Sequence, residues 1–166
     1  MTNYIIGISG SGGGDSGPNN LYQLLKLKFT NRVILYDTIP NDEKYNINNI
    51  INIINNILIN ENDATFTLLG YSMGGTIALM VGIYFTNKKC ITKIIFLSSQ
   101  TAGFDQLNYL KCPIVIFHSI NDLIIPIKYI YKWIKSYTGN IKTYLLTCDH
   151  NWSNVNMITI INKLNL

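Results

Sequence analysis

The chain has 166 residues, 48% of them hydrophobic and 13% charged, with a formal net charge of +4. That length and apolar content point to one globular domain, residues 1–166, with a sizeable core, and they exclude a disordered chain. The basic residues are dispersed, which argues against nucleic acid as a partner, and three cysteines at 90, 112 and 148 are too scattered for a disulfide framework or a metal site. No basic leader with an apolar signal core opens the sequence, and no apolar run reaches membrane-spanning length. A cytoplasmic, reducing location is therefore expected. Nothing in the pattern sets an oligomeric state.

The first predicted strand, residues 4–8, runs into a glycine-rich loop at 7–14. A phosphate-binding loop would need the lysine of G-x-x-x-x-G-K-[ST], which is missing, and the spacing G-x-G-x-x-G carries no weight inside so glycine-rich a tract. No nucleotide or other cofactor is expected. A helix at 20–29 and a strand at 32–36 follow, then Asn46–Asn62, which is close to a two-letter segment of isoleucine and asparagine. Isoleucines at 47, 50, 51, 54 and 57 with Leu58 keep helical spacing, so residues 47–60 read as an amphipathic helix with asparagine on its solvent face.

The strand predicted at 64–69 ends in Gly70-Tyr71-Ser72-Met73-Gly74-Gly75 and is followed by a helix at 74–86. In the G-x-S-x-G pattern the serine occupies a tight strand-to-helix turn, and the flanking glycines remove Cβ atoms that would clash there. Ser72 Oγ is thereby presented to a substrate. The start of the helix aims free backbone N–H groups at the same point, so the N–H of Met73 is the natural donor to a developing oxyanion.

A strand at 91–98 leads into the connection 99–111, which is long enough only for a crossover with a short helix. Phe104, Leu107, Tyr109 and Leu110 on it either line an acyl pocket or cover the sheet. The next strand, 114–117, ends at His118, with Asp122 four positions on, and a helix is predicted at 127–137. The last strand, 141–146, precedes Asp149 and His150, and a helix at 154–164 closes the chain, with Ser153 as its expected cap. Short apolar strands without strict alternation, each followed by a helix, make a right-handed parallel α/β sheet.

A serine hydroxyl needs a base, and the base needs a carboxylate to fix its tautomer. His150 is the candidate base and Asp122 the candidate acid, each just past the end of a predicted strand, where open parallel sheets place their sites. His118, the other histidine, is read as structural. Asp15 and Asp105 are alternative acids, but neither follows a strand in the required place.

In the order Ser72, Asp122, His150, the chain resembles a small α/β-hydrolase-fold serine hydrolase. The GYSMGG elbow carries this resemblance, together with Cys112–Asp122 and the following Ile125-Pro126, similar to the family's Pro-strand-H-G-x-x-D segment. The opening Ile5–Asp15 is similar to the strand that enters H-G-x-G-G, and its glycine-rich loop also resembles the short hydrolases related to the retinoblastoma-binding serine hydrolase. The resemblance implies a minimal α/β-hydrolase fold: six mainly parallel strands, helices on both faces and no cap domain. It also implies the Ser11 N–H as second oxyanion donor, and an acyl-serine route for a carboxylic ester or thioester of a small-molecule or acylated substrate, with no cofactor or metal. The alternatives are a catalytically weak hydrolase-fold binding protein and an acyl-protein thioesterase. Ser9 stands where the family usually has histidine, Ser119 where it has glycine, and Asp149 where glycine commonly precedes the histidine. Asp149 would raise the pKa of His150, compete for it, or simply face solvent.

Overall fold

In the computed structural model, residues 1–12, 14 and 16–166 are described; Gly13 and Asp15, the latter one of the alternative acids, lie outside the described residues. Six strands form one sheet: β1 (Asn3–Ile8), β2 (Val33–Tyr36), β3 (Thr65–Tyr71), β4 (Ile91–Leu97), β5 (Ile114–Ser119) and β6 (Ile141–Leu146), in the order β2-β1-β3-β4-β5-β6. Every neighbouring pair is parallel. The helices are α1 (Leu21–Lys28), α2 (Glu43–Asn60), α3 (Met73–Tyr84), α4 (Ile127–Ser136) and α5 (Met157–Leu164).

Alternation along each strand sends side chains to two separate cores. Ile6, Phe66, Leu68, Ile94 and Ile116 join Ile50 and Ile54 of α2, Ile77 of α3 and Ile130 of α4 on one face. Ile5, Leu69, Ile95, Val115 and Phe117 join Leu21 and Leu25 of α1 and Ile160 and Leu164 of α5 on the other. Both faces are thus covered, which is why the central strands read as unbroken apolar runs. Phe104, Leu107 and Leu110, in the 3-10 turn Phe104–Tyr109, are buried in the first core, whereas Tyr109 is exposed.

Three details depart from the sequence expectations. Helix α2 begins at Glu43 rather than at 47, because the Asp42 side chain caps it by accepting from Tyr45 N at 3.1 Å. Asn46 is fully buried rather than on the solvent face, and its amide bonds both the N–H and the carbonyl of Ile39 at 2.9 and 2.8 Å. Ser153 does not cap α5. That position belongs to Asn156, whose side chain accepts from Ile158 N and Thr159 N, while Ser153 is bound to Asp149.

Helix α3 lies against the middle of the sheet at backbone distance. A Cβ on Gly74 would stand 2.3 Å from the Ile8 carbonyl oxygen, and one on Gly70 would stand 2.4 Å from the Gly74 carbonyl oxygen. Backbone cannot yield as a side-chain tip can, so Gly74→Ala is expected to destabilise the protein by about 1–3 kcal/mol or more in urea unfolding. Gly12→Ala, where an added Cβ meets nothing within 4 Å among the described residues, is expected to stay within about 1 kcal/mol of wild type.

Candidate active site

The loops that leave β1, β3, β5 and β6 all emerge from the carboxyl edge of the sheet, and parallel pairing brings them together. Ser72 follows β3 with φ 51° and ψ −119°, a left-handed conformation for a non-glycine residue that marks a strained turn. Its backbone is held from the neighbouring strand ends: Ser72 N donates to Leu97 O at 3.0 Å, and Ser72 O accepts from Gln100 N at 2.9 Å. Met73 is the first residue of α3, so its N–H has no partner within the helix.

Asp122 and His150 meet across the β5 and β6 loops. His150 Nδ1 lies 2.7 Å from Asp122 Oδ2, while Asp122 Oδ1 accepts from Ile124 N at 2.9 Å and Ile125 N at 2.8 Å. Both oxygens of a nearly buried carboxylate are therefore satisfied. Burial by itself pushes the Asp122 carboxyl up, but the His150 and backbone hydrogen bonds outweigh it and hold the group below the usual aspartate range. Because Nδ1 is engaged by the carboxylate, Nε2 is the ring nitrogen left for a substrate-side proton. Ser72 Oγ makes no hydrogen bond to His150 or to any other group among the described residues. The two side chains open on one cavity of about 410 Å³, shared with Gly10, Ser11, Gly17 and Tyr71.

Asp149 faces away from this pair. Its carboxylate is exposed and accepts from Ser153 N at 2.9 Å and from Ser153 Oγ at 2.6 Å, bonds that lower its pKa. It does not compete for His150. His118 is fully buried beneath the loop that carries Asp122, where its Nε2 sits 2.9 Å from the Ile125 carbonyl and 4.0 Å from Asp122 Oδ2, and its Nδ1 has no partner among the described residues. Burial pushes its pKa down, against the opposing pull of the Ile125 carbonyl. Asp105 lies on the 3-10 turn after β4, in the lining of a different cavity.

Several supports had no signal in the sequence. Ser119 Oγ donates to the Cys148 carbonyl and accepts from Asn121 N, tying the acid loop to the segment before His150. Trp152, two residues beyond His150, is fully buried and donates from Nε1 to Ser98 Oγ at 2.9 Å, fixing the histidine loop to the end of β4. Ser9 accepts from Thr38 N at 2.9 Å and donates to Asp37 Oδ1 at 3.1 Å, securing the start of the glycine-rich loop. The Tyr71 ring lies 5.3 Å from the His150 ring, and its hydroxyl donates to Asn151 Oδ1 at 2.7 Å. Burial, then Asp122 and Asp149, push the Tyr71 phenol up to about 12, so it remains a neutral donor. No group of three or more His, Cys, Asp and Glu side chains that could hold a metal ion occurs among the described residues, and no helix there is long and apolar enough to cross a membrane.

A carboxylate whose pKa is depressed by folding adds stability above its unfolded pKa, and that stability is lost as pH falls through the folded value. The destabilisation caused by Asp122→Asn should accordingly be larger at pH 7 than near pH 3, shrinking below about pH 4, where the unfolded aspartate takes up its proton. Urea unfolding of both proteins across that range measures it.

No family model and no curated protein matches this sequence. Solved structures do match. A lipase-esterase related protein from Clostridium acetobutylicum superposes with a TM-score of 0.74 at 17% identity, over 98% of this chain and 93% of that one. Dienelactone hydrolase from Anabaena variabilis gives 0.77 at 13% identity, over 99% and 84%. Est1E from Butyrivibrio proteoclasticus gives 0.76 at 13% identity, over 99% and 86%. With its six parallel strands, its helices on both faces and no cap domain, the chain has the α/β-hydrolase fold.

Proposed function

We propose that this chain is a single-domain serine hydrolase that cleaves a carboxylic ester or thioester of a small-molecule or acylated substrate, with Ser72, Asp122 and His150 as its catalytic residues. The observation that carries this reading is the buried Asp122–His150 hydrogen bond of 2.7 Å, which opens on the same cavity as a serine in a left-handed strand-to-helix turn. Solved hydrolases and esterases of the same fold support it.

In the first half-reaction Ser72 Oγ attacks the acyl carbon while its proton passes to His150 Nε2. Asp122 keeps the proton on Nδ1 and stabilises the imidazolium that forms. The negative charge on the carbonyl oxygen is met by the backbone N–H groups of Met73 and Ser11. Collapse breaks the bond from acyl carbon to leaving oxygen or sulfur, and that atom takes the proton from His150. A water then gives a proton to His150 and attacks the acyl carbon, and collapse breaks the bond from acyl carbon to Ser72 Oγ, which takes that proton back from His150 as the acid is released. Apo hydrogen bonds of this kind are commonly loose before substrate arrives, so the open Ser72–His150 gap is compatible with the scheme. No cofactor or metal takes part in it.

A fluorophosphonate probe is expected to label Ser72 covalently, because an activated serine beside oxyanion donors reacts where an ordinary one does not. Labelling that persists in Ser72→Ala, or folded wild type that never labels, would refute the assignment. Turnover should separate the two histidines. His150→Ala and Asp122→Asn should each lower kcat by on the order of 10³-fold or more, and His118→Ala should stay within about tenfold while losing thermal stability. Steady-state kinetics on p-nitrophenyl acetate, paired with thermal melts, gives both readings.

A further inference from the structure

A second cavity adjoins the first at Ile124. It has a volume of about 330 Å³ and is lined by Gln100, Thr101, Ala102, Ile125, Pro126 and Tyr129, with Ile124 on its border. Ile124 also lines the cavity that holds Ser72 and His150. The Gln100 wall is fixed directly to the Ser72 backbone by the bond from Gln100 N to Ser72 O, and Thr76 Oγ1, in the first turn of α3, donates to the Ala102 carbonyl at 3.4 Å. Thr101 and Tyr129 also line a third cavity of about 500 Å³, together with Phe104 and Trp133 and the polar Asp105, Asn108, Lys132 and Ser136. The three spaces are thus neighbours, the first joined to the second at Ile124 and the second to the third at Thr101 and Tyr129, and Ile124 and its neighbour Leu123 are 68% and 93% exposed.

The first two cavities differ in chemistry. The first cavity is walled mainly by glycine, serine and asparagine, together with Pro18, Tyr71 and Ile124, and it contains His150. The second is walled mainly by aliphatic and aromatic side chains, and His150 is not among its lining residues. Leaving-group departure requires the departing atom to take a proton from the histidine, which places that group in the first cavity. The acyl chain must leave the reacting carbon in another direction. The adjoining space that lacks His150 lies across Ile124.

We infer that the groove from Ile124 past Ala102 and Tyr129 to Trp133 is the acyl-chain subsite, and that the preferred substrates are esters or thioesters of medium-length aliphatic acids with a small polar leaving group. This rests on the catalytic reading of Ser72 and His150 and adds a substrate class to it. The groove is finite and uncapped. Specificity therefore rises with chain length while methylenes have wall to cover, by up to about fourfold per methylene, and then levels.

The test is the ratio of kcat/KM for p-nitrophenyl octanoate to that for p-nitrophenyl acetate, both at concentrations where the ester is monomeric. Wild type is expected to exceed 10. Ala102→Trp narrows the groove from the connection after β4, and Tyr129→Asp puts a charge on its α4 wall; both side chains are exposed, and each variant should lower the ratio at least tenfold. A wild-type ratio of one or less, or a ratio that both variants leave within twofold of wild type, overturns the subsite. Absence of any ester hydrolysis together with absence of fluorophosphonate labelling overturns the catalytic reading itself and the subsite with it. Hydrolysis of acetate with a flat chain-length profile removes the subsite alone.

Discussion

The structure depends on how closely α3 is allowed to approach β1 and β3. Gly70 and Gly74 put backbone against backbone where any side chain would intrude to within 2.4 Å of a main-chain atom, and the turn between them forces Ser72 to a positive φ. The strain of that turn is held by packing on every side. Of the residues in the first two turns of α3, Met73, Gly74, Gly75, Thr76, Ile77, Ala78 and Leu79 are all buried. The same constraint places the free N–H groups of the helix start next to the serine in the chain.

The second half of the site is held by cross-links between loops. Asp122 is fixed by its own backbone turn, His150 by Asp122, and the segments flanking them by Ser119 and Trp152. The N-terminal loops join the same arrangement: Asn19 Nδ2 donates to the Trp152 carbonyl at 3.1 Å, and the Tyr22 hydroxyl lies 3.0 Å from the Ile8 carbonyl and 2.9 Å from that of Leu69. These are buried or half-buried bonds to backbone carbonyls, which cost more to break than exposed ones because the carbonyl left behind is out of water.

How much of this was legible in the sequence follows from which interactions are local. The G-x-S-x-G turn, the parallel order of short strands and the pairing of Asp122 with His150 are tied to periodicity and to chain order, and they could be read directly. The start of α2 was misplaced because its signal lay in Asp42, a single capping residue, and not in the isoleucine stripe that begins at Ile47. The burial of Asn46 was hidden because a helix full of asparagine gives no clue to which one folds back onto its own preceding loop. Ser119, Trp152 and the groove at Gln100 and Tyr129 depend on contacts across 26 or more positions of chain, for example Trp152 with Ser98, which composition and spacing do not encode.

The two tryptophans fall on opposite faces of the sheet. Trp152 is packed with Phe117 and bonded to Ser98 in the core that carries the histidine loop, whereas Trp133 belongs to α4 and stacks on Phe104 in the other core. The molecule therefore carries one intrinsic optical reporter for each layer. Displacement of the loop around His150 alters the polarity around one indole while the other keeps its surroundings, so the emission of single-tryptophan forms resolves motion at the carboxyl edge of the sheet from motion beneath α4 without any added label.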